Sequence, residues 1–368
     1  MANFKIKPES EYVNANKLKD FACTVPFKHY EIHTSGAVSA CCHTWLPMWV
    51  GNVQESSVED VINNGIRKEI QDEMRKGNFA CCNDQCPQLN SFLNGGKDYW
   101  DIVPKEHLDR KLQSTDMHIG FSYDLSCNLQ CPSCRDGLIM WDPNDPLDAN
   151  GQQVKHIHEK VKELVTVLAT QHSKISLNIT GSGDAFASPI YWEYLVELSN
   201  TVIPGNIHIN LKTNGIMMTE ENWIKIKPLW KHIHYIEVSV DAATEEAYKI
   251  VRKNGNFKRL KNNLDTLDKM VLDGCFPKLY KWQSNIIVQR DNFRDLKPFM
   301  EWQLSYKSKP SIWTNLLAQW WHIPDERFKG MAVWQEGHIN RNDLIEILKD
   351  PIFKNPQIKL GNMTSLVS

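Results

Sequence analysis

The side chains best suited to chemistry in this sequence are thiols. Of ten cysteines, three stand together in Cys127-Asn-Leu-Gln-Cys131-Pro-Ser-Cys134, a C-x3-C-x2-C spacing. Three thiolates on one short loop can hold three irons of a [4Fe–4S] cube. The fourth iron then keeps an open position, as a catalytic metal site requires. A small ligand with an amino and a carboxyl group can chelate there. The competing readings are a zinc site or three buried thiols. Structural zinc normally takes four protein ligands, and no fourth Cys or His sits close by in the sequence. A second group, Cys23, Cys41, Cys42, Cys81, Cys82 and Cys86, crowds the first quarter of the chain, and Cys275 stands alone.

From Met117 onward, short apolar runs alternate with helix-length segments. Strands are expected over 119–124, 175–180, 207–213, 235–240, 282–289 and 312–318. Helices are expected over 152–170, 190–201, 220–230, 245–251, 260–272 and 293–305. Such spacing demands parallel pairing with right-handed crossovers. Six units are too few for a closed eight-stranded barrel, so the expected fold is α/β, a partial (β/α)6 barrel. Chemistry in parallel α/β architectures sits beyond the C-terminal strand ends, and the three-cysteine loop follows the first strand directly. Ahead of the barrel, 1–115 reads as a small Cys-rich α+β domain and bridge, with one clear helix near 58–76. The barrel is expected over 116–322. A tail over 323–368 reads as a helix at 341–348 plus an irregular segment.

Composition bounds the rest. The chain has 368 residues, 42% hydrophobic and 23% charged, with a formal charge of -2. A packed core is expected, and no net basic field points to nucleic acid. No apolar run is long enough to span a membrane. The opening MANFKIKPESEY lacks the apolar stretch of a secretory signal. The chain therefore reads as cytoplasmic, where cysteines serve as ligands or nucleophiles.

The C-x3-C-x2-C loop after a first strand resembles the radical SAM superfamily, over about 117–319. That resemblance implies a [4Fe–4S] cluster on Cys127, Cys131 and Cys134, with S-adenosylmethionine (SAM) on the open iron. Many members have an aromatic residue just before the last cysteine; this chain has Ser133. The second strand ends in Thr180-Gly181-Ser182-Gly183-Asp184, similar to the family's Gly-Gly-Glu-type motif for the SAM amino group. Glycines allow close backbone approach and a carboxylate can pair with an ammonium. The shorter Asp leaves more of that binding to backbone carbonyls. Lys212-Thr213-Asn214-Gly215 and Ser239-Val240-Asp241, at the third and fourth strand ends, resemble positions that bind the ribose hydroxyls and carboxylate of SAM. Arg252 resembles an arginine that often follows the fourth strand. Strand-to-helix capping is the plain alternative for Thr213 and Ser239.

The N-terminal cysteines resemble the SPASM/twitch domains, which carry an auxiliary iron–sulfur cluster. The matching elements are Cys23, a Gly36–Cys41 hairpin and the later pair in Cys82-Asn-Asp-Gln-Cys86-Pro. The expected ligands are Cys23, Cys41, Cys82 and Cys86, with Cys42 and Cys81 as competitors for their neighbours' positions. Zinc on the same thiolates is the alternative. An auxiliary [4Fe–4S] cluster can take an electron from a substrate radical, giving a net two-electron oxidation.

The resemblance implies an oxidoreductase-type enzyme that cleaves SAM reductively to a 5′-deoxyadenosyl radical and abstracts a substrate hydrogen. A peptide is the first expected substrate, for oxidation or another modification. The alternatives are a dehydrogenase or epimerase of a carbohydrate-type small molecule, and a non-catalytic zinc-binding scaffold. An electron donor such as flavodoxin or ferredoxin is implied. Cys275 is a candidate hydrogen-atom donor, although a residue before a parallel strand lies at the wrong end of a barrel. Trp320-Trp321-His322 is a candidate for the substrate mouth or a plug of the open side.

Overall fold

The computed structural model describes residues 15–83, 86–95, 99–320 and 323–366. They form two compact units: described residues within 1–124, 142–182 and 204–208 make the first, and those within 125–141, 183–203 and 209–368 the second.

In the first unit, β1 (Phe21–Cys23) pairs antiparallel with β5 (Ile102–Pro104). A larger sheet has the order β7-β6-β2-β3-β4. Its members are β2 (His29–His33), β3 (Ala37–Ser39), β4 (Trp49–Asn52), β6 (Met117–Ser122) and β7 (Ile175–Ile179). Strands β7, β6 and β2 are parallel, and β2, β3 and β4 antiparallel. The β2–β3 turn needs Gly36: its φ is +76°, and a Cβ would stand 2.8 Å from Asn52 Oδ1. The helix Ala149–Gln171 starts at Asp148, whose side chain accepts from the Gly151 N–H, and buries Val154, Ile157, Val161, Leu164 and Leu168. That 3–4 spacing lines one helical face, and each such side chain contributes about 1.5–3 kcal/mol on burial.

In the second unit, β8 (Ile207–Thr213, beginning in the first unit), β9 (Ile233–Ser239), β10 (Lys281–Val288), β11 (Ser311–Leu316) and β12 (Ile358–Lys359) pair in that order, all parallel. Val238 and the Leu260 side chain of helix Phe257–Leu272 crowd Gly215 from the helix side of this sheet. The chain is thus α/β, with six strand–helix units from β6 to β11 and a small Cys-rich region ahead of them.

Three elements depart from the sequence reading. The helix expected over 58–76 is two, Val58–Ile62 and Gly65–Lys76, because Asn64 accepts from the Ile66 and Arg67 N–H groups and restarts the helix. The helix expected over 220–230 is Glu220–Lys225 followed by a 3-10 turn, Lys227–His232, which accommodates Pro228. The tail is more ordered than an irregular segment. A helix at Asp325–Met331 precedes the expected Arg341–Leu348, and β12 pairs with β11 through Ile312↔Ile358. A two-residue strand is too short to leave a periodic signal.

Candidate functional site

The three-cysteine loop lies in the second unit. Its backbone is held on both flanks. Cys127 N–H donates to the Ile139 carbonyl at 2.9 Å, Gln130 N–H to Lys253 at 3.0 Å, and Cys134 N–H closes a turn onto Cys131 at 2.9 Å. The Trp141 N–H reaches Ser126 Oγ at 2.9 Å. Arg327, on the helix Asp325–Met331, donates to the Pro132 carbonyl at 2.6 Å and pairs with Asp136.

Each of the three sulfurs receives one side-chain N–H donor. Asn214 Nδ2 lies 3.5 Å from Cys127 Sγ, Arg252 Nη1 3.5 Å from Cys131 Sγ, and Arg135 Nη2 3.6 Å from Cys134 Sγ. Cys127 and Cys131 are buried and Cys134 is exposed. Burial, with Asp184 adding to it, pushes the Cys127 thiol up to about 12. Burial also raises Cys131. Thiols held neutral in this way ionise on taking up a metal, so binding releases protons.

The strand ends gather around the loop. Asp184 is buried, and both its oxygens face the polypeptide. Oδ1 accepts from the Phe186 and Ala187 N–H groups, each at 3.0 Å. Oδ2 accepts from the Asn214 N–H at 2.6 Å and the Thr213 hydroxyl at 3.0 Å. This carboxylate, the candidate partner for the SAM ammonium, ties the end of β8 to the 184–187 turn. Asn214 also donates to Asn128 Oδ1 at 2.8 Å. Arg252, which resembles the arginine that often follows the fourth strand, pairs with the buried Asp241 at 2.8 Å. Its Nε is buried without a partner. Gly183 has φ +72°, and Ser239 closes β9 half-buried.

Gly181 and Ser182 belong to the first unit. The Gly181 N–H donates to the Phe121 carbonyl at 2.8 Å, and Ser182 Oγ to Asp124 O at 3.0 Å. Gly181 must lack a side chain, because a Cβ would stand 1.7 Å from Ser122 Oγ. Cys275 lies at the junction before β10, its N–H on the Met270 carbonyl at 3.0 Å. The loop sits by the C-terminal ends of β8 and β9, so in this parallel sheet Cys275 is at the opposite end. Trp320 is exposed; Trp321 and His322 lie outside the described residues.

The first unit holds the other thiols. Cys23, Cys41, Cys42, Cys82 and Cys86 share the wall of a cavity of about 360 Å³ with His29, Glu31 and apolar side chains. Cys81 is fully buried and off that wall, its sulfur 3.9 Å from Cys82 Sγ. Burial pushes Cys23 up to about 12 and Cys41 well above its usual range. Cys23, Cys86 and Cys42 act electrostatically on Cys41, whereas Cys42 is also acted on by Glu31. Among the described residues no three His, Cys, Asp or Glu side chains converge closely enough to hold a single ion.

Sequence reasoning missed Arg135, Arg327, Asn128 and Glu31. Arg135 carried a signal, a cation directly after a metal-ligand candidate. Glu31 carried a weaker one, the alternation His29-Tyr30-Glu31-Ile32-His33, which puts three polar side chains on one strand face. Arg327 and Asn128 had none.

Two family models match the chain. The radical SAM superfamily matches residues 125–295, and the iron–sulfur cluster-binding domain SPASM matches residues 23–87. No curated protein matches. Among solved structures, TYW1 with a lysine-pyruvate adduct bound is 16% identical, at a TM-score of 0.37, over 62% of this chain and 70% of its own. SuiB of Streptococcus suis is 9% identical, at a TM-score of 0.38, over 63% of this chain and 46% of its own.

Proposed function

Because the chain belongs to the radical SAM superfamily and carries a SPASM-type domain, we propose that it cleaves SAM reductively and abstracts a hydrogen atom from a peptide, oxidising or otherwise modifying it. The radical SAM domain implies a [4Fe–4S] cluster and SAM, and the SPASM domain an auxiliary iron–sulfur cluster. The observation that carries the reading is the loop of three thiols with one N–H donor per sulfur. A soft, electron-rich donor set with N–H groups aimed at the sulfurs suits an iron–sulfur cluster. When bound, the cluster supplies the electron that splits SAM into methionine and the 5′-deoxyadenosyl radical.

Cys127, Cys131 and Cys134 would hold this cluster. Asp184 fixes Thr213 and Asn214, and so acts as a positioning residue. In the second unit, the backbone at Gly183 is the candidate partner for the SAM ammonium. The Thr213 and Ser239 hydroxyls are candidates for its ribose. Arg252 keeps one buried N–H free for a carboxylate. Cys23, Cys41, Cys82 and Cys86 would hold the auxiliary cluster. Cys81 is off the cavity wall, and Cys42 is left as a fifth thiol on it. An external one-electron donor of the flavodoxin or ferredoxin kind completes the reaction. No described helix is long and apolar enough to cross a membrane.

One observation favours a second substrate class, a carbohydrate-type small molecule undergoing dehydrogenation or epimerisation. On one face of β8–β10, the Glu237 carboxylate accepts from Tyr235 OH at 3.0 Å and Asn285 Nδ2 at 2.7 Å, with Lys212 Nζ at 3.5 Å. Carboxylate, amide and ammonium in one row suit a hydroxyl-rich ligand. The reading is tested by anaerobic reconstitution with iron and sulfide, then SAM and dithionite. 5′-Deoxyadenosine is expected from wild type and not from Cys127→Ala/Cys131→Ala/Cys134→Ala. Zinc without labile sulfide in both cysteine groups would refute it in favour of a scaffold. Deuterium transfer into 5′-deoxyadenosine from a labelled peptide or sugar pool separates the substrate classes.

A further inference from the structure

Three arginines contact the three-cysteine loop, and one differs from the others. Arg252 pairs with Asp241, and Arg327 pairs with Asp136. Arg135 has no carboxylate partner among the described residues. It is nonetheless buried, with 9% of its surface exposed. One Nη donates to the Leu125 carbonyl at 2.6 Å and the other to Cys134 Sγ at 3.6 Å. Beyond that one N–H donor, the roles above give its charge no part.

A guanidinium does not shed its proton in a protein. Burying one without a counter-charge is strongly unfavourable. The compensating negative charge must therefore come from what Arg135 faces, the Cys134 sulfur of the three-thiol loop. Three thiolates outweigh the charge of an oxidised [4Fe–4S] core, so the assembly is negative, and it becomes more so on taking an electron. A fixed cation beside it stabilises the reduced state more than the oxidised one.

We propose that Arg135 is the counter-cation of the SAM-binding cluster and raises its reduction potential. This rests on the reading that Cys127, Cys131 and Cys134 hold that cluster. The side chain is a positioning and tuning residue, since it touches a ligand sulfur and not substrate. Lys at this position keeps the charge but loses the fork that spans Leu125 and Cys134.

The test is a potentiometric titration of the reconstituted holoprotein, followed by electron paramagnetic resonance of the reduced cluster. The relevant signal is the one absent from Cys127→Ala/Cys131→Ala/Cys134→Ala. Arg135→Met is expected to retain iron and to show a reduction equilibrium about tenfold less favourable, equal to about 59 mV for one electron. Arg135→Lys is expected to stay within about twofold of wild type, as a charge effect requires. Arg135→Met with full iron and the wild-type potential would overturn the proposal. Loss of the cluster from Arg135→Met but not from Arg135→Lys also supports a counter-cation; equal loss from both overturns it. A wild-type protein with no signal beyond that of the triple variant refutes the functional reading itself, which is a distinguishable result.

Discussion

Replacing Asp184 with Asn sets a same-shaped side chain against donors that cannot turn away. An amide has one acceptor oxygen where the carboxylate has two. With that oxygen at the Oδ1 position, the Phe186 and Ala187 N–H groups stay satisfied. The amide nitrogen then faces the Asn214 N–H and the Thr213 hydroxyl. The hydroxyl can rotate to accept, but the backbone N–H cannot. One buried donor is stranded, a cost of about 1–3 kcal/mol. The reverse placement strands the Phe186 N–H, since the Ala187 N–H keeps the Asp184 carbonyl at 3.3 Å. Asp184→Ala strands both the Phe186 and Asn214 N–H groups, and about 2–6 kcal/mol is expected. Urea denaturation of the reconstituted protein measures both. Because Asn214 also reaches Cys127 Sγ and Asn128 Oδ1, SAM affinity should fall in the same order, wild type above Asn above Ala. The refuting result is specific. If Asp184→Asn keeps wild-type stability yet loses SAM affinity, the carboxylate turns to the ligand ammonium, and the reading of Asp184 as a strand-end tie is wrong.

Arg327→Ala should leave the helix Asp325–Met331 in place, since Phe328, Met331 and Ala332 pack with Leu317 and Ile323. It should speed iron loss to a chelator several-fold by freeing Pro132 and Asp136; an unchanged rate would exclude the clamp. Gly181→Ala should destabilise the first unit by about 1–3 kcal/mol, and Gly181→Ala/Ser122→Gly should recover part of that, because Ser122 Oγ is the nearest atom to the new Cβ. In the first unit, Cys82→Ala should lose auxiliary-site iron while Cys81→Ala keeps it, as iron counts on the Cys127/Cys131/Cys134 triple-alanine background would show. Burial pushes His158 down from 6.5 to about 3. The unfolded chain then takes its proton first, so this group's stabilisation is whole above pH 6.5 and drains away as the pH falls towards 3. His158→Gln should flatten the stability profile below pH 6.5, and an unchanged slope would count against a buried neutral imidazole.

The strands were legible as short segments rich in apolar residues, though β9 and β11 bury theirs in alternation, and the parallel order followed from helix-length gaps between them. The two helices that broke early were not, since Asn64 and Pro228 act through local capping and backbone geometry within an otherwise helical pattern. The competition between Cys81 and Cys82 could not be settled from spacing. The two sulfurs lie 3.9 Å apart, and Cys82 lines the cavity where Cys81 does not.

The three-cysteine loop was legible as a ligand set but not as an electrostatic environment. The cysteine spacing is local in sequence, whereas Asn214 and Arg252 reach the loop from 87 and 121 residues away. Such contacts leave no periodic trace. Arg135 is the exception, adjacent to Cys134 and therefore visible. A cation next to a thiol is unremarkable in a sequence, because most arginines find a carboxylate or water. What gives Arg135 meaning is the combination of burial, the lack of a carboxylate partner among the described residues and the Cys134 sulfur against it, and each of those is a property of the folded chain. The charge at this loop must balance once the chain is folded. Two of its three arginines are balanced by Asp241 and Asp136, and among the described residues the third meets its counter-charge when the thiols are ionised. The apoprotein should therefore gain stability on cluster assembly beyond what ligation alone gives, and Arg135→Met should lose that increment.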